Sequence, residues 1–428
     1  MEIEFVNHSC FIINYKGVRV ICDPWLEGSV FNNGWRLICE TKFKYEDFAS
    51  INYIWFSHEH PDHFYPPNLV KIPVEYRKNI TVLFQYTKDK RVVDYCKSIN
   101  FKEVIELMPN QWYKIHEDLK VLCEPYEEGD SWICFKTNDL CYLNTNDCGI
   151  MTHKAAQKRI ACKVGKVDVL LSQFSYAYGI GNPEDVRLRQ QKAQEKLELF
   201  KIQCEVFKPK VVIPIASYIY FSHTENHWLN DSINTPRKTY NFFKENTDAE
   251  PVVLYCGQKY TFGQAHDSMQ SIALYEADYE KVSQITLDKY TTTQTVPEKE
   301  LQSAASVFIE DMNRNNSWLL KMILKPTYIF VKDYNKTYSL SLKGFTEVKI
   351  DAEKCDVSLT SENLLFCFKY PYGIDTTQIN GRMQKPRQGN YKRFYNLFRV
   401  NQLKSRGIDP NSMFYLLGVL RRRLFPNY

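Results

Sequence analysis

Residues 58–63 read His58-Glu59-His60-Pro61-Asp62-His63 and follow directly on the apolar run 51–57. Three of the chain's nine histidines fall in these six positions, a concentration that speaks against a solvated turn with histidines placed by chance. The run predicts a strand that ends in a polar site. His58 and His60 alternate, so both rings can approach one metal from the strand end. Asp62 and His63 follow in a turn and can serve a second metal nearby. Imidazole and carboxylate donors suit zinc, iron or manganese rather than Cu(I).

The rest of the chain supplies the scaffold. Apolar runs at residues 3–6, 10–14 and 18–22 read as strands, with Lys16-Gly17 as a hairpin turn. Pro24 stops the third, because proline donates nothing to a ladder. Strand-like runs recur at 81–84, 119–123, 132–135, 140–144, 167–172 and 211–215. The clearest helix is 182–207, opened by Asn182-Pro183-Glu184-Asp185. Strands alternating with helices over roughly 260 residues predict an α/β core. After Phe262 the character shifts, with helical patterning over 266–325 and strands again at 328–331, 338–342 and 346–350. The expected division is 1–265 as catalytic domain, 266–345 as a mainly helical connector with strands, and 346–428 as a small C-terminal α+β module.

Charge is uneven. The 428 residues carry a net +5, yet residues 382–428 hold eleven Lys/Arg against Asp409 alone, leaving −5 on the remainder. An acidic body with a basic tail argues against a nucleic-acid-coating protein, and no nucleic-acid partner is expected. The thirteen cysteines are odd in number and none is spaced C-x-x-C, which excludes zinc ribbons. No Cys stands two residues before a His, so half of a Rieske cluster site is missing. The N-terminal sequence has no basic-then-apolar signal pattern, and the apolar run 413–420 is far short of the ~20 residues of a membrane span. The expectation is a reducing, cytoplasmic location with free thiols.

Longer blocks add a resemblance. HSCFIINYKGVRVICDPWLEGSVFNNGW, WFSHEHPDHFYPPNL, CYLNTNDCG, VDVLLSQFSYAYG and PKVVIPIASYIYFSH occur in that order. Together they resemble the metallo-β-lactamase superfamily, and within it the metallo-β-lactamase-like part of the CMP-N-acetylneuraminate hydroxylase family, over about residues 5–262. A looser similarity is to N-acyl-phosphatidylethanolamine phospholipase D-type hydrolases. The resemblance implies a four-layer αββα sandwich with a dinuclear site at the strand ends. Carried over by position, His58 and His60 hold the first metal, Asp62 and His63 the second, Asp147 bridges, and His223 is the last ligand, with His227 as its alternative.

One position departs from the family pattern. The segment that should supply a further histidine reads Glu124-Pro125-Tyr126-Glu127-Glu128-Gly129-Asp130. Glu128 is the best-placed replacement; the alternative is a first metal held by two histidines only. A carboxylate there makes the site harder and favours iron, as in the diiron β-hydroxylase of chloramphenicol biosynthesis. His8 reads as a support to the ligands or as a core residue, and Asp23 as the support of a ligating His. Trp25, Trp35, Tyr176 and Tyr178 read as pocket wall or core. Gly179 and Gly181 read as a loop rather than a dinucleotide fingerprint. Residues 357–382 resemble a sterol-carrier-like module. The tail stretches 391–404 and 412–424 pattern as basic amphipathic helices, which can sit on an anionic membrane, grip a phosphorylated partner, or pack on the body.

The expected activity is that of a diiron oxygenase using O2 on a polar metabolite, such as a nucleotide- or carrier-linked sugar or amino acid. Iron is favoured among the two divalent metals, with zinc or manganese as alternatives. Without a Rieske cluster, either a separate reductase feeds the site or the chain is not an oxygenase. The second expectation is a hydrolase of a phosphoester or amide, with Asp62 and Asp147 central to the chemistry in both. A non-catalytic scaffold is the third, and the intact ligand run argues against it.

Overall fold

The computed structural model describes residues 1–126 and 129–412. It divides into two compact units. The first comprises residues 1–177, 186–221 and 230–286; the second comprises 178–185, 222–229 and the chain from 287 onward.

The first unit begins with β1 (Glu2–Asn7), β2 (Cys10–Tyr15), β3 (Val18–Cys22), β4 (Trp35–Leu37) and β5 (Tyr53–Phe56). Short helices α1 (Pro66–Leu69) and α2 (Val74–Arg77) lead to β6 (Thr81–Gln85), α3 (Arg91–Ser98) and β7 (Glu103–Leu107). There follow β8 (Tyr113–His116), β9 (Leu119–Tyr126), β10 (Asp130–Lys136), β11 (Cys141–Asn146), α4 (Lys154–Val164) and β12 (Val169–Gln173). The unit ends with α5 (Val186–Phe207), β13 (Val211–Ile215), β14 (Ile219–Phe221), α6 (Pro236–Asn246), β15 (Glu250–Pro251), β16 (Lys259–Thr261) and α7 (Ser268–Ser283).

Two seven-stranded sheets result, ordered β16-β1-β2-β3-β5-β6-β7 and β15-β13-β12-β11-β10-β9-β8. Alternation along the strands decides what faces what. In the first sheet Val20, Cys22, Trp55 and Leu83 enter one core together with Val121, Ile133, Tyr142 and Leu171 of the second. Their neighbours Ile21, Ile54, Phe56, Val82 and Phe84 face the opposite way, onto Leu69, Val92, Val93 and Cys96 of α1 and α3. The far side of the second sheet is covered by Ile160, Val164, Leu197, Phe200, Phe207 and Phe243 of α4, α5 and α6. The layering is therefore helix, sheet, sheet, helix. Local signals fix the helix starts. Thr235 caps α6 by accepting from Lys238 N, with Pro236 at its first position. Cys39 and Cys256 form a disulfide, so free thiols are found only at the other cysteines.

Helix α7 corrects the expected boundary at 265. Its Ile272 and Tyr275 belong to the first core, and Tyr275 stacks on Tyr218 with ring centroids 4.4 Å apart. The first unit accordingly runs to Thr286.

The second unit holds α8 (Glu298–Asn315), α9 (Trp318–Ile323), β17 (Thr327–Val331), β18 (Lys336–Ser341), β19 (Gly344–Val348), β20 (Val357–Leu359), α10 (Ser361–Lys369), α11 (Gly373–Asn380), β21 (Met383–Gln384) and α12 (Tyr391–Ser405). Its sheet runs β19-β18-β17-β20-β21, with β17 and β20 parallel. The expected connector and C-terminal module thus share one sheet and one core. The amphipathic stretch at 391–404 buries Phe394, Leu397, Phe398 and Leu403 in that core. The stretch at 412–424 lies outside the described residues from 413 onward. Gly179 belongs to this unit: a Cβ there would lie 2.5 Å from the Gly381 Cα, so close packing requires the glycine.

Candidate metal centre

All the clustered donors belong to the first unit and leave it at strand ends. His58 follows β5, Asp147 follows β11, Asp23 follows β3, and His8 sits in the β1–β2 turn. The pairing of β3 with β5 continues past the strands, where Asp23 N–H donates to Trp55 O at 2.9 Å. His8, Asp23 and Asn146 have positive φ, at 25°, 43° and 49°. Such conformations are uncommon outside glycine and concentrate at functional sites.

Two groups of donors form. One is His58, His63 and Asp147; the other is His8, Asp62 and His63. His63 Nε2 lies 3.2 Å from Asp62 Oδ2 and 3.5 Å from Asp147 Oδ2, and His58 Nε2 lies 3.8 Å from Asp147 Oδ2. Donors about 2.0–2.2 Å from a tetrahedral ion are spaced about 3.3–3.6 Å from one another. The spacing here is that of ligands converging on a cation.

Hydrogen bonding leaves the converging atoms free. Asp23 is fully buried and accepts from Ser57 N–H at 2.7 Å, Ser57 Oγ–H at 2.8 Å and the Asn146 amide at 2.8 Å. Its Oδ2 is also 3.0 Å from His63 Nδ1. A carboxylate only accepts, so it fixes the His63 proton on Nδ1. Ser57 Oγ, its own proton given to Asp23, stands 2.9 Å from His58 Nδ1 and fixes that ring in the same tautomer. His58 Nε2, His63 Nε2 and Asp62 Oδ1 are buried without a hydrogen-bond partner. Orphaned buried polar atoms cost about 1–3 kcal/mol each, and a divalent cation would satisfy all three. The residues therefore fit the metals that the donor chemistry implies.

Electrostatics agree. Burial opposes charge on Asp62 and Asp147, but His63 outweighs it and both carboxylates lie below their usual range. Burial likewise opposes a charged His63, while Asp62, Asp147 and Asp23 together raise it well above the usual imidazole value. Burial lowers His58 and His60. This buried negative charge, crowded against imidazoles, is what a cation compensates.

His58, Asp62, His63 and Asp147 are thus brought together. His60 is half-buried, its ring 4.5 Å from that of His58, and lies outside both donor groups. Glu128 lies outside the described residues. His223 is in the second unit, where Glu225 N–H donates to its Nδ1 at 3.1 Å; His227 is in that unit too. Two residues enter from outside the expected ligand set. His8 Nε2 lies 3.2 Å from Asp62 Oδ2 and orients that carboxylate. Asp130, the last acid of the segment expected to replace a histidine, has its carboxyl pushed up to about 6 by burial and by Asp147. Its neighbour Glu124 is held by Lys163 and Asn110 instead.

A family model described as "Beta-lactamase superfamily domain" matches residues 2–172. Cytidine monophosphate-N-acetylneuraminic acid hydroxylase of Gorilla gorilla gorilla is 24% identical over 258 residues, covering 58% of this chain and 43% of that protein. The chain thus spans under half the length of that relative. Among solved structures, a point mutant of CmlA beta-hydroxylase aligns with TM-score 0.43 and 16% identity over 60% of this chain and 53% of its own. An isothiocyanate hydrolase from Delia radicum gut bacteria aligns with TM-score 0.43 and 10% identity, over 61% and 99%.

Proposed function

From the premise that residues 2–172 form a metallo-β-lactamase superfamily domain, we propose that this chain is a non-haem diiron hydroxylase of a polar metabolite. The broader class, a metal-dependent enzyme of the metallo-β-lactamase fold, follows from the family and the donor set. The observation that carries the finer reading is the carboxylate content of the site. Asp62, Asp147 and Asp130 stand among the rings of His58, His60 and His63, a mixed carboxylate and imidazole set without thiolate, which iron accepts as readily as zinc and which is harder than an all-histidine site. The matched curated relative is named a hydroxylase.

In this reading His58, His63, Asp62 and Asp147 hold the metals, which supply Lewis acidity and, as iron, electron transfer. Asp23 and Ser57 keep both ligating rings in the tautomer that presents Nε2. His8 holds Asp62 in place. Asp130, its carboxyl raised to about 6 by burial and by Asp147 in the metal-free site, is the acid placed to hold a proton there. Electrons come from a separate reductase, and O2 is the co-substrate.

The second reading is hydrolysis of a phosphoester or amide, favoured by the free Nε2 atoms of His58 and His63, which suit zinc equally. Oxygen uptake separates the two. Reductant- and substrate-dependent O2 consumption by iron-loaded protein supports the first, whereas turnover of a generic phosphodiester by zinc-loaded protein in anaerobic buffer overturns it.

A further inference from the structure

Helix α5 carries its apolar stripe along Ala193, Leu197, Phe200 and Phe207. Lys196 lies three residues after Ala193 and four before Phe200, so it shares the inward side. A lysine placed there normally finds a carboxylate, because an ammonium without one is costly to bury. Lys196 has none. Its Nζ donates to Gln173 Oε1, at the end of β12, and lies 3.7 Å from Met151 Sδ, four residues past Asp147. It is half-buried. No ion pair within 4 Å involves it among the described residues. Elsewhere on the same helix Lys192 pairs with Glu195 at 2.6 Å. The charges that do act on Lys196 are Asp147 and Asp130, which oppose the lowering of its pKa by burial. Held between the end of β12 and the segment that follows Asp147, the ammonium lies within electrostatic reach of the metal centre and has no carboxylate partner of its own among the described residues.

We propose that Lys196 is a substrate-binding residue, the cation that receives a carboxylate or phosphate oxyanion of the substrate beside the metal centre. This rests on the reading of the site as a metal centre. With the site carboxylates offset by bound metals, Asp147 and Asp130 no longer compete for the ammonium, and an incoming oxyanion becomes its partner. A charge-assisted hydrogen bond of this kind corresponds to about a tenfold to hundredfold change in affinity.

The test uses the full chain in its metal-loaded form. Metal content is measured first, then binding of inorganic phosphate and of acetate by calorimetry, for wild type, Lys196→Gln and Lys196→Arg. The expected result is equal metal content in all three, phosphate or acetate binding weakened about tenfold or more in Lys196→Gln, and binding retained in Lys196→Arg. Whichever anion is affected identifies the oxyanion class. Acetylation of wild-type lysines read by mass spectrometry needs no variant to fold, and the same anion should protect Lys196 selectively. Anion affinity unchanged in Lys196→Gln, with no protection of Lys196, overturns the inference while leaving the metal site standing. Loss of metal in both variants overturns it in favour of a role in site assembly. A wild type that takes up no metal overturns the metal-centre reading and this inference together.

Discussion

At the scale of single residues, the site depends on Asp23. Its carboxylate holds the His63 ring directly and the His58 ring through Ser57. Replacing Asp23 with Ala leaves the Ser57 hydroxyl, the Asn146 amide and His63 Nδ1 without that acceptor, so metal affinity should fall about 10- to 100-fold. Competition with a chelator measures this, and unchanged affinity would remove the tautomer argument. His223 gives a pH prediction. Burial and Arg382 lower its pKa to about 4, whereas an unfolded histidine titrates near ~6.5. Between those values the unfolded chain binds more protons, so stability falls as pH drops from about 6.5 to 4 and the full cost is reached below that window. Denaturation of the metal-free protein across this range should show the loss, and His223→Gln should flatten it; an equally steep variant would contradict the assignment. The run from His58 to His63 is legible in the sequence because it is contiguous. The site role of Asp130 is not, since it reaches the centre from a distant position, and His8 is legible only as one of two readings, support or core, between which the contact with Asp62 decides.

At the scale of elements, short apolar runs locate most strands of the first unit, because the central ones are buried on both faces. Strands Glu103–Leu107 and Tyr113–His116 escape this signal, being partly exposed and broken by charged residues. Helix α7 is legible as a helix but falls on the wrong side of the expected boundary. Its own pattern does not say that Tyr275 will stack on Tyr218. In the second unit, α12 turns its aromatic face inward, with Phe398 stacked on Phe308 at 4.6 Å between ring centroids. Phe398→Ala removes a buried ring and should cost about 3–5 kcal/mol of that unit's stability. Urea unfolding followed by far-UV circular dichroism measures it. A loss under about 1 kcal/mol would mean that the face is not core.

At the scale of the whole molecule, the net +5 conceals two opposed balances. Part of the basic excess is internal to the second unit: Arg382 is fully buried against Glu225 and Glu362, and Arg406 faces Asp375. Those two charges serve packing, whereas Arg387, Lys392 and Arg393 of the same segment are exposed. The first unit holds the clustered carboxylates, and the metal-centre reading depends on what compensates them. The most direct measurement is the metal content of protein purified without added zinc, by mass spectrometry, on wild type and on the double variant Asp62→Ala, Asp147→Ala. The account predicts about two metal ions per chain, predominantly iron, lost in the double variant. Wild type with no bound metal, or metal content unaffected by removing both carboxylates, would contradict it.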